Sequence, residues 1–257
     1  MPHIRLRDVH VAFPIYQGAS RSLKKSLVAS SMLGNLSKNE ANNRIVVQAL
    51  NGVNFDVEHG ERFGIIGANG AGKTTLLKVL AGIYEPTSGS CVVSGRISSL
   101  LDAQAGLDPD ATGRENIIMR GLYLDIHPSV MREHAAEIAT FTALEHYMDM
   151  PVRTYSAGMM MRLGFAASTC IMPEILIMDE WLAAGDAQFI GKAQKRMEEF
   201  VERSSILVLA SHSMDLLRRW CRRGIFLHHG RIQFSGDIES VIEAYDDFVH
   251  RNSGGEL

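Results

Sequence analysis

The sequence predicts an α/β fold whose core of strands and helices is interrupted by an all-helical subdomain. Three observations support this prediction. A short apolar strand pattern over 62–66 leads into a glycine-rich loop and a helical pattern, residues 112 to about 170 carry helical signals and no strand signal, and short strands alternate with helices after that point. This order of elements is typical of an α/β core with a helical insertion.

The N-terminal part of the chain predicts two strands on either side of a polar stretch. Alternating apolar residues favour a strand at a sheet edge over 4–13 and a second strand over 52–57. The Ser- and Asn-rich stretch between them carries a short basic amphipathic helix over about 22–33. A helix of this kind either lies at a membrane interface, meets a lipid head group or packs on its own domain.

The middle of the chain predicts helices. Thr112 and Glu115 have the spacing of a capping box and should start a helix. His127 and Pro128 break the chain before a helical pattern that runs to about His146.

Beyond residue 170 the pattern alternates again. We expect strands over 174–178, 205–210, 224–227 and 231–234, helices over 188–203 and 213–222, and a final helix from Asp237 to near His250.

Composition excludes several classes of protein. The chain has 257 residues, of which 46% are hydrophobic and 21% charged, as in an ordinary soluble globular protein. A net charge of -3 gives no support for nucleic-acid binding, which needs a surplus of Lys and Arg. No apolar run approaches the roughly 18 residues of a membrane span, and the N-terminus lacks a signal-peptide core. We expect a soluble protein whose membrane role, if any, comes through a partner.

Cysteine usage points to a reducing compartment. Cys91, Cys170 and Cys221 are an odd number at wide spacing, without a CxxC pair. A disulfide framework or a zinc site needs grouped cysteines. The cytosol is therefore the expected compartment.

The glycine-rich loop matches the pattern that cradles nucleotide phosphates. Gly67 and Gly72, with four residues between them, precede Lys73 and Thr74. Glycines let backbone N–H groups turn inward around a phosphate, the lysine reaches the β and γ phosphates, and the threonine hydroxyl ligates Mg²⁺. A purely structural glycine turn is the alternative. The predicted nucleotide-binding residues here are Gly67, Ala68, Asn69, Gly70, Ala71, Gly72, Lys73, Thr74 and Thr75.

Two carboxylates follow a later apolar strand. Asp179 and Glu180 come directly after the four apolar residues 175–178. A phosphoryl-transfer site needs an acid for the metal and a group that positions water, so we assign Asp179 to Mg²⁺ and Glu180 to the general base. Two solvated acids at a strand end are the alternative.

His212 follows another apolar strand, 206–210. Its imidazole reaches a γ-phosphate if this strand neighbours the strand that ends at Asp179, as parallel α/β topology permits. A structural histidine is the alternative.

Together these motifs resemble the nucleotide-binding domain of ATP-binding cassette (ABC) transporters. The resemblance implies an ABC ATPase core with an antiparallel β edge, ATP and Mg²⁺ as cofactors, and a homodimer in which each ATP lies between two copies. The family's signature segment, usually Leu-Ser-Gly-Gly-Gln, corresponds to "YSAGM". Ser156, Ala157 and Gly158 would then contact the partner's γ-phosphate at a helix N-terminus. Tyr155 and Met159 depart from the family pattern, as does Ala157.

Other family residues carry over less evenly. Gln104 lies within about one residue of the glutamine that ligates Mg²⁺ and faces the permease; an accidental polar loop residue is the alternative. Gly185 and Asp186 would form the D-loop between the two ATP sites. Phe13 fits the aromatic residue that stacks on adenine, with Tyr16 as the second choice and core packing of Phe13 as the alternative.

Several segments resemble a narrower group, the ATPase subunits of polysaccharide exporters. They are "YSAGMMMRLGFA", "LAGIYEPTSG", "GRISSLLDAQAGLDPDATGREN", "WLAAGDAQF" and "LHHGRIQFSGDIESVIEAYDDF". This resemblance implies ATP-driven export of a lipid-linked, O-antigen-like polysaccharide, an integral-membrane permease as partner, no nucleic acid, and a location on the cytoplasmic face of the inner membrane. Another exported cargo, such as a lipid, a drug or teichoic acid, is the alternative, and a non-transport ABC ATPase is a third reading. The expected organisation is one ABC ATPase domain over 1–250, with a helical subdomain over about 105–170, an insertion over about 17–45 and a polar tail over 251–257.

Overall fold

We describe the fold from a computed structural model. It covers residues 1–14, 36–39, 44–179 and 187–253. The chain divides into two compact units, one formed by Met1–Gly95 with Val208–Leu257 and the other by Arg96–Leu207.

Ten strands and seven α-helices are present in the described residues. The strands are β1 (His3–Pro14), β2 (Leu36–Asn39), β3 (Arg44–Val57), β4 (Arg62–Ile66), β5 (Ser88–Ser94), β6 (Ile97–Leu100), β7 (Ile175–Asp179), β8 (Ile206–Ala210), β9 (Arg223–His228) and β10 (Arg231–Asp237). The helices are α1 (Lys73–Leu80), α2 (Gly113–Tyr123), α3 (Pro128–Thr142), α4 (Ala157–Ser168), α5 (Ala187–Arg203), α6 (Met214–Trp220) and α7 (Ile238–Ser253). The helix predicted over 22–33 lies outside the described residues.

In the first unit, β1 is an inner strand of an antiparallel sheet with the order β2-β3-β1-β5. Ile4 pairs with Val57 on one side and with Val93 on the other. The prediction of an edge strand over 4–13 was therefore wrong, because β5 covers the second side of β1. The apolar face of β1 is buried, with Ile4 and Leu6 both 0% exposed.

A second sheet in the first unit carries the phosphate loop. β10 and β9 are antiparallel, β4 runs parallel to β9, and Ser211, just after β8, donates its backbone N–H to Ile65 O at 3.3 Å. Helix α7 packs against β9 and β10. It begins one residue later than predicted, because Asp237 ends β10 and accepts the backbone N–H of Ser240 at 3.1 Å. It also takes in residues 251–253, which we expected in a polar tail.

The second unit contains the predicted helical segment. β6 and β7 are parallel neighbours, and α2, α3 and α4 pack around a common core. The core residues include Ile117, Met131, Ile138, Leu144, Met148, Leu163 and Ala166. The absence of a strand signal between residues 112 and 170 is confirmed, apart from an isolated bridge between Thr112 and Pro151.

Local capping signals set the ends of these helices. Thr112 and Glu115 form the predicted capping box at the start of α2. His127 caps α3, with Pro128 in its first position. Helix α3 ends earlier than the predicted His146, because Ala143 takes the left-handed conformation with φ 55°.

Candidate functional site

The phosphate loop follows a buried strand and leads into a helix, as the sequence predicts. Phe63, Ile65 and Ile66 of β4 are 0% exposed. The chain then turns, and α1 begins at Lys73 after Gly72, which has φ 106°. The first backbone N–H groups of a helix lack partners within the helix, so this end of α1 can bind an anion.

Two glycines of the loop are required by their own surroundings. A Cβ at Gly67 would lie 2.2 Å from Leu227 O, and one at Gly72 would lie 2.6 Å from Ala49 O. Real Cβ atoms do not approach backbone oxygens so closely, and the φ of Gly72 is itself unfavourable for other residues. The loop keeps this shape only with glycine at both positions.

Lys73 is held inside the loop by backbone carbonyls. Its ammonium group donates to Gly67 O at 2.7 Å and to Ala68 O at 3.1 Å, and the residue is only 8% exposed. The loop therefore keeps a positive charge at the start of α1, and the ammonium group can exchange its two carbonyl acceptors for phosphate oxygens.

His212 lies next to this lysine. Its Nε2 is 3.2 Å from Lys73 Nζ. An ammonium group only donates, so Nε2 accepts this hydrogen bond and the ring proton sits on Nδ1. The sequence predicted that His212 approaches the phosphate site, and the structure brings it there; its role in the reaction stays a prediction.

The turn between β9 and β10 supports the loop and was missed at the level of sequence. Gly230 donates its N–H to Ala71 O at 2.8 Å and accepts the N–H of Asn51 at 2.8 Å. Its φ is +72°, and a Cβ there would lie 2.6 Å from Ala49 O. The signal that could have identified it is a glycine between two short strands, which is typical of a hairpin turn.

Phe13, the second-last residue of β1, is an exposed aromatic residue. It is 38% exposed and its ring meets the edge of Tyr84 with centroids 5.4 Å apart. This exposure leaves ring surface for stacking, which core packing would not. Tyr84 was not singled out from the sequence. Tyr16 lies outside the described residues.

The signature segment caps a helix of the second unit. Ser156 Oγ accepts the backbone N–H of Met159 at 3.2 Å, and Ser156 and Ala157 are exposed. Tyr155 is 6% exposed and donates its hydroxyl to Tyr147 O at 2.6 Å, so its departure from the family pattern has a structural use. From Met159 onward the helix packs on the core of the second unit, with Leu163 0% exposed.

The other predicted residues are placed unevenly. Asp179 ends the buried strand β7 and is half-buried, whereas Gln104 is exposed and its backbone N–H donates to Asp102 Oδ1 at 2.8 Å. Glu180, Gly185 and Asp186 lie outside the described residues. Their roles remain predictions.

The oxygen donors in the two units fit Mg²⁺ by their chemistry. Thr74 is exposed in the first turn of α1, and Asp179 presents a carboxylate at the end of β7. Magnesium prefers hard oxygen ligands and uses one or two protein groups beside phosphates and water. The two residues belong to different units, and their joint action stays a prediction.

A phosphate loop, a lysine held within it and a histidine beside that lysine define a nucleotide-binding domain of the phosphate-loop class. Comparison with known proteins makes the class narrower. The ABC transporter family profile matches residues 50–183, about half of the chain. The chain belongs to the ABC transporter family.

Three relatives are similar over most of this chain. The O-antigen export system ATP-binding protein RfbE of Yersinia enterocolitica is 40% identical over 90% of this chain and 97% of its own length. The corresponding RfbB of Myxococcus xanthus is 41% identical over 82% of this chain, which spans 48% of that protein. The teichoic acids export ATP-binding protein TagH of Bacillus anthracis is 38% identical over 79% of this chain, which spans 37% of that protein. The chain thus spans half or less of two of these relatives.

Solved structures confirm the fold. A dimeric, post-hydrolysis ATP-binding cassette bound to ADP and Pi matches with a TM-score of 0.63 and 19% identity, over 91% of this chain and 98% of that one. The α/β core with an antiparallel sheet and a helical insertion is therefore the ATP-binding cassette fold, as the sequence predicts. In the described part of the chain, every helix is too short or too polar to cross a membrane.

Proposed function

We propose that the chain is the ATP-hydrolysing subunit of an ABC transporter that exports a lipid-linked, O-antigen-like polysaccharide across the cytoplasmic membrane. The observation that carries the hydrolytic part is the position of Lys73, fixed in the loop with His212 Nε2 3.2 Å away. The cargo rests on the 40% identity to an O-antigen export protein along nearly that protein's whole length.

The first unit binds the triphosphate. Backbone N–H groups of the loop and of the first turn of α1 surround the β-phosphate, and Lys73 neutralises charge on the β and γ phosphates. Once Lys73 turns from the carbonyls of Gly67 and Ala68 toward the nucleotide, a shift of the ring proton of His212 from Nδ1 to Nε2 lets the imidazole donate to the γ-phosphate. Phe13 stacks on the adenine.

The remaining predicted residues complete the reaction. Glu180 takes a proton from the attacking water, and the γ-phosphate leaves as inorganic phosphate with ADP as the second product. Thr74, Asp179 and Gln104 would hold Mg²⁺, which neutralises charge on the phosphate oxygens when bound. Ser156, Ala157 and Gly158 act on the ATP of a second copy, so the working form is a homodimer, and Gly185 and Asp186 link its two sites.

A permease in the membrane is the partner that moves the cargo. The ATPase closes as a dimer on binding ATP and reopens after hydrolysis, and the second unit with Gln104 transmits this movement. The protein then lies on the cytoplasmic face of the inner membrane, held by the permease. Teichoic acid is a second candidate cargo, favoured by the 38% identity to a teichoic acids export protein.

The hydrolytic part is tested by Glu180→Gln. The variant should bind ATP as tightly as the wild type, lose nearly all turnover, and accumulate as a closed dimer in gel filtration with ATP. Glu202→Gln on α5 is a matched control with full turnover. Undiminished hydrolysis by Glu180→Gln would remove this residue from the role of base.

The shared site is tested by mixing two inactive variants. Ser156→Ala damages the signature and Lys73→Ala damages the loop, so a mixed dimer keeps one composite site free of both lesions. Mixing should restore turnover above that of either parent. Equal inactivity of parents and mixture would contradict a site shared between copies.

The cargo is tested in a deletion strain. Loss of the gene should make the lipid-linked glycan accumulate inside the cell. A plasmid copy of the wild-type gene should restore export, whereas a copy that carries Glu180→Gln should not. Mass spectrometry of the trapped lipid distinguishes an O-antigen-like repeat from a polyol-phosphate polymer. Normal surface glycan in the deletion strain would contradict glycan export.

A further inference from the structure

Arg120 of α2 is a fully buried charged residue that joins separate segments of the second unit. It is 0% exposed. Its Nε donates to Ser168 Oγ at 2.8 Å, at the end of α4, and its Nη1 donates to the carbonyl oxygen of Ala105. The guanidinium carbon also lies 5.0 Å from the centre of the Tyr123 ring. One side chain thus binds both α4 and the residue after Gln104.

The segment of residues 102–106, which carries Gln104, touches α4 directly as well. A Cβ at Gly164 of α4 would lie 1.9 Å from Ala103 O, so the helix backbone and the segment are in closest contact there. Ala103 is 4% exposed, whereas Gln104 is exposed. The segment is therefore fixed through its neighbours while the glutamine side chain stays accessible.

Burying the charged Arg120 side chain costs stability that an apolar side chain of the same size would not cost. Arg120 Nη2 is buried and has no hydrogen-bond partner in the described part of the chain. Burial lowers the pKa of Arg120, because the charged form loses its hydration. Apolar residues of similar volume commonly replace buried charges without loss of stability, so packing alone does not explain an arginine here.

We propose that Arg120 is a positioning residue that fixes the 102–106 segment to α4, so that Gln104 and the signature at the start of α4 move as one body. The 12 residues of α4 form a rod of about 18 Å, with Ser156 at one end and the Ser168 contact at the other. A displacement of the signature is thereby passed to Gln104 through the Ser168, Arg120 and Ala105 contacts. The proposal rests on the proposed function, in which Gln104 ligates the metal.

A double-mutant cycle between Arg120 and Gln104 tests this in the full chain. Arg120→Met removes the donors but keeps an unbranched side chain, and Gln104→Ala removes the predicted ligand. Arg120→Met should leave ATP affinity within about twofold of the wild type and lower turnover about tenfold, and it should raise the Mg²⁺ concentration needed for half-maximal turnover. The double variant should be no slower than the slower single variant, because both lesions act through one group. Multiplied losses, or an unchanged turnover of Arg120→Met, would overturn the proposal.

Hydrogen exchange gives a readout that does not depend on hydrolysis. In Arg120→Met the amides of residues 102–106 should exchange at least about tenfold faster, while those of α3 stay as in the wild type. Equal acceleration in α3 would mean general destabilisation and overturn the proposal. Arg132→Met, at an exposed position of α3, is the matched control.

A milder variant covers the case in which Arg120→Met does not fold. Ser168→Ala removes the acceptor of Arg120 Nε, together with the hydrogen bond that the hydroxyl donates to Gly164 O at 2.6 Å within α4, and should accelerate the same 102–106 amides. Unchanged exchange in Ser168→Ala would overturn the link to α4. An inactive wild type would contradict the proposed function, and the exchange results would still decide the role of Arg120.

Discussion

The phosphate loop before α1 and the signature turn at the start of α4 both contain glycines, and these glycines meet different surroundings. In the phosphate loop, a Cβ at Gly67 or Gly72 would collide with a backbone oxygen at 2.2 or 2.6 Å. In the signature turn, a Cβ at Gly158 would find its nearest described neighbour, Ser156 Oγ, only at 3.9 Å. Residues of its own unit fix the shape of the phosphate loop, whereas the signature turn has space for a Cβ at Gly158.

This difference is consistent with the predicted roles of the two turns. The phosphate loop needs its glycines in order to fold, because Ala49, Leu227 and Gly230 crowd it from the same unit. Gly158 is not needed for the fold of its unit, so the space that it leaves is available to a molecule from outside. That is the arrangement expected if the signature acts on a nucleotide held by another copy.

The largest effect is expected for Gly72→Ala. Alanine is strained at the φ of +106° that Gly72 adopts, and its Cβ would lie 2.6 Å from Ala49 O, so the loop must shift. We expect nucleotide affinity to fall at least about 100-fold, or about 3 kcal/mol, in a titration with a fluorescent ATP analogue. Gly60→Ala is the control, because Gly60 also has a positive φ of +88° but a Cβ there would have no neighbour within 4 Å among the described residues. That variant should lose about 1 kcal/mol of stability and no affinity. A wild-type nucleotide affinity of Gly72→Ala would show that the loop does not depend on glycine at this position.

A smaller and different effect is expected for Gly158→Ala. Alanine fits sterically and favours a helix over glycine by about 1 kcal/mol, so the protein should be as stable as the wild type or more so. ATP affinity should be unchanged, while turnover falls about tenfold because a methyl group keeps the partner's phosphate from the backbone.

Gly191→Ala is the control for this variant. A Cβ at Gly191, on α5, has no described neighbour within 4 Å, so Gly191→Ala should stabilise the helix and leave turnover unchanged. Turnover of Gly158→Ala equal to that of Gly191→Ala would show that the signature turn has no role beyond starting a helix.

A third variant pair adds charge to the open turn without changing its shape. Met159 occupies the third position of α4, where a glutamate or glutamine completes a capping box with Ser156. Met159→Glu and Met159→Gln lose the same packing, and both satisfy the box. We expect turnover of Met159→Glu to be roughly fivefold lower than that of Met159→Gln, because a carboxylate at the helix start repels a phosphate by about 1 kcal/mol.

Salt separates this electrostatic effect from a change of shape. The difference between the two Met159 variants should shrink as the ionic strength rises, since exposed charges are screened. Equal turnover at low salt would argue against an anion at this turn.

The parts predictable from the sequence are those that depend on local signals. The phosphate loop was identifiable because its residues sit between a strand and a helix, and the Thr112 capping box because it spans only four residues. The strand β5 was missed because SGSCVVS is polar and mostly exposed, so it lacks an apolar pattern. Because β5 was overlooked, β1 was wrongly predicted as an edge strand.

The contacts that crowd or fix a site could not be predicted in the same way. Gly230 acts on Ala71 from a turn more than 150 residues away in the chain. Arg120 resembles any helix arginine in sequence, and only tertiary packing shows that it is buried against Ser168. Sequence periodicity reports which face of an element is apolar, not which distant atoms meet there.

The smallest effect is expected at α2, another capped helix of the second unit. A change there separates the cost of losing a helix cap from the cost of losing a phosphate contact. Glu115 accepts the backbone N–H and the hydroxyl of Thr112 at 2.8 and 2.7 Å, and these hydrogen bonds hold its pKa below the ordinary 4.5. A lowered pKa means that the carboxylate contributes stability above pH 4.5, and that this contribution is lost as the pH falls through the folded value. Glu115→Gln should therefore lose less stability than the wild type between about pH 5 and pH 3 in thermal unfolding, with turnover at neutral pH unchanged. A loss of turnover comparable to that of Gly158→Ala would show that any weakened helix start in the second unit slows hydrolysis, and would remove the distinction between the two turns.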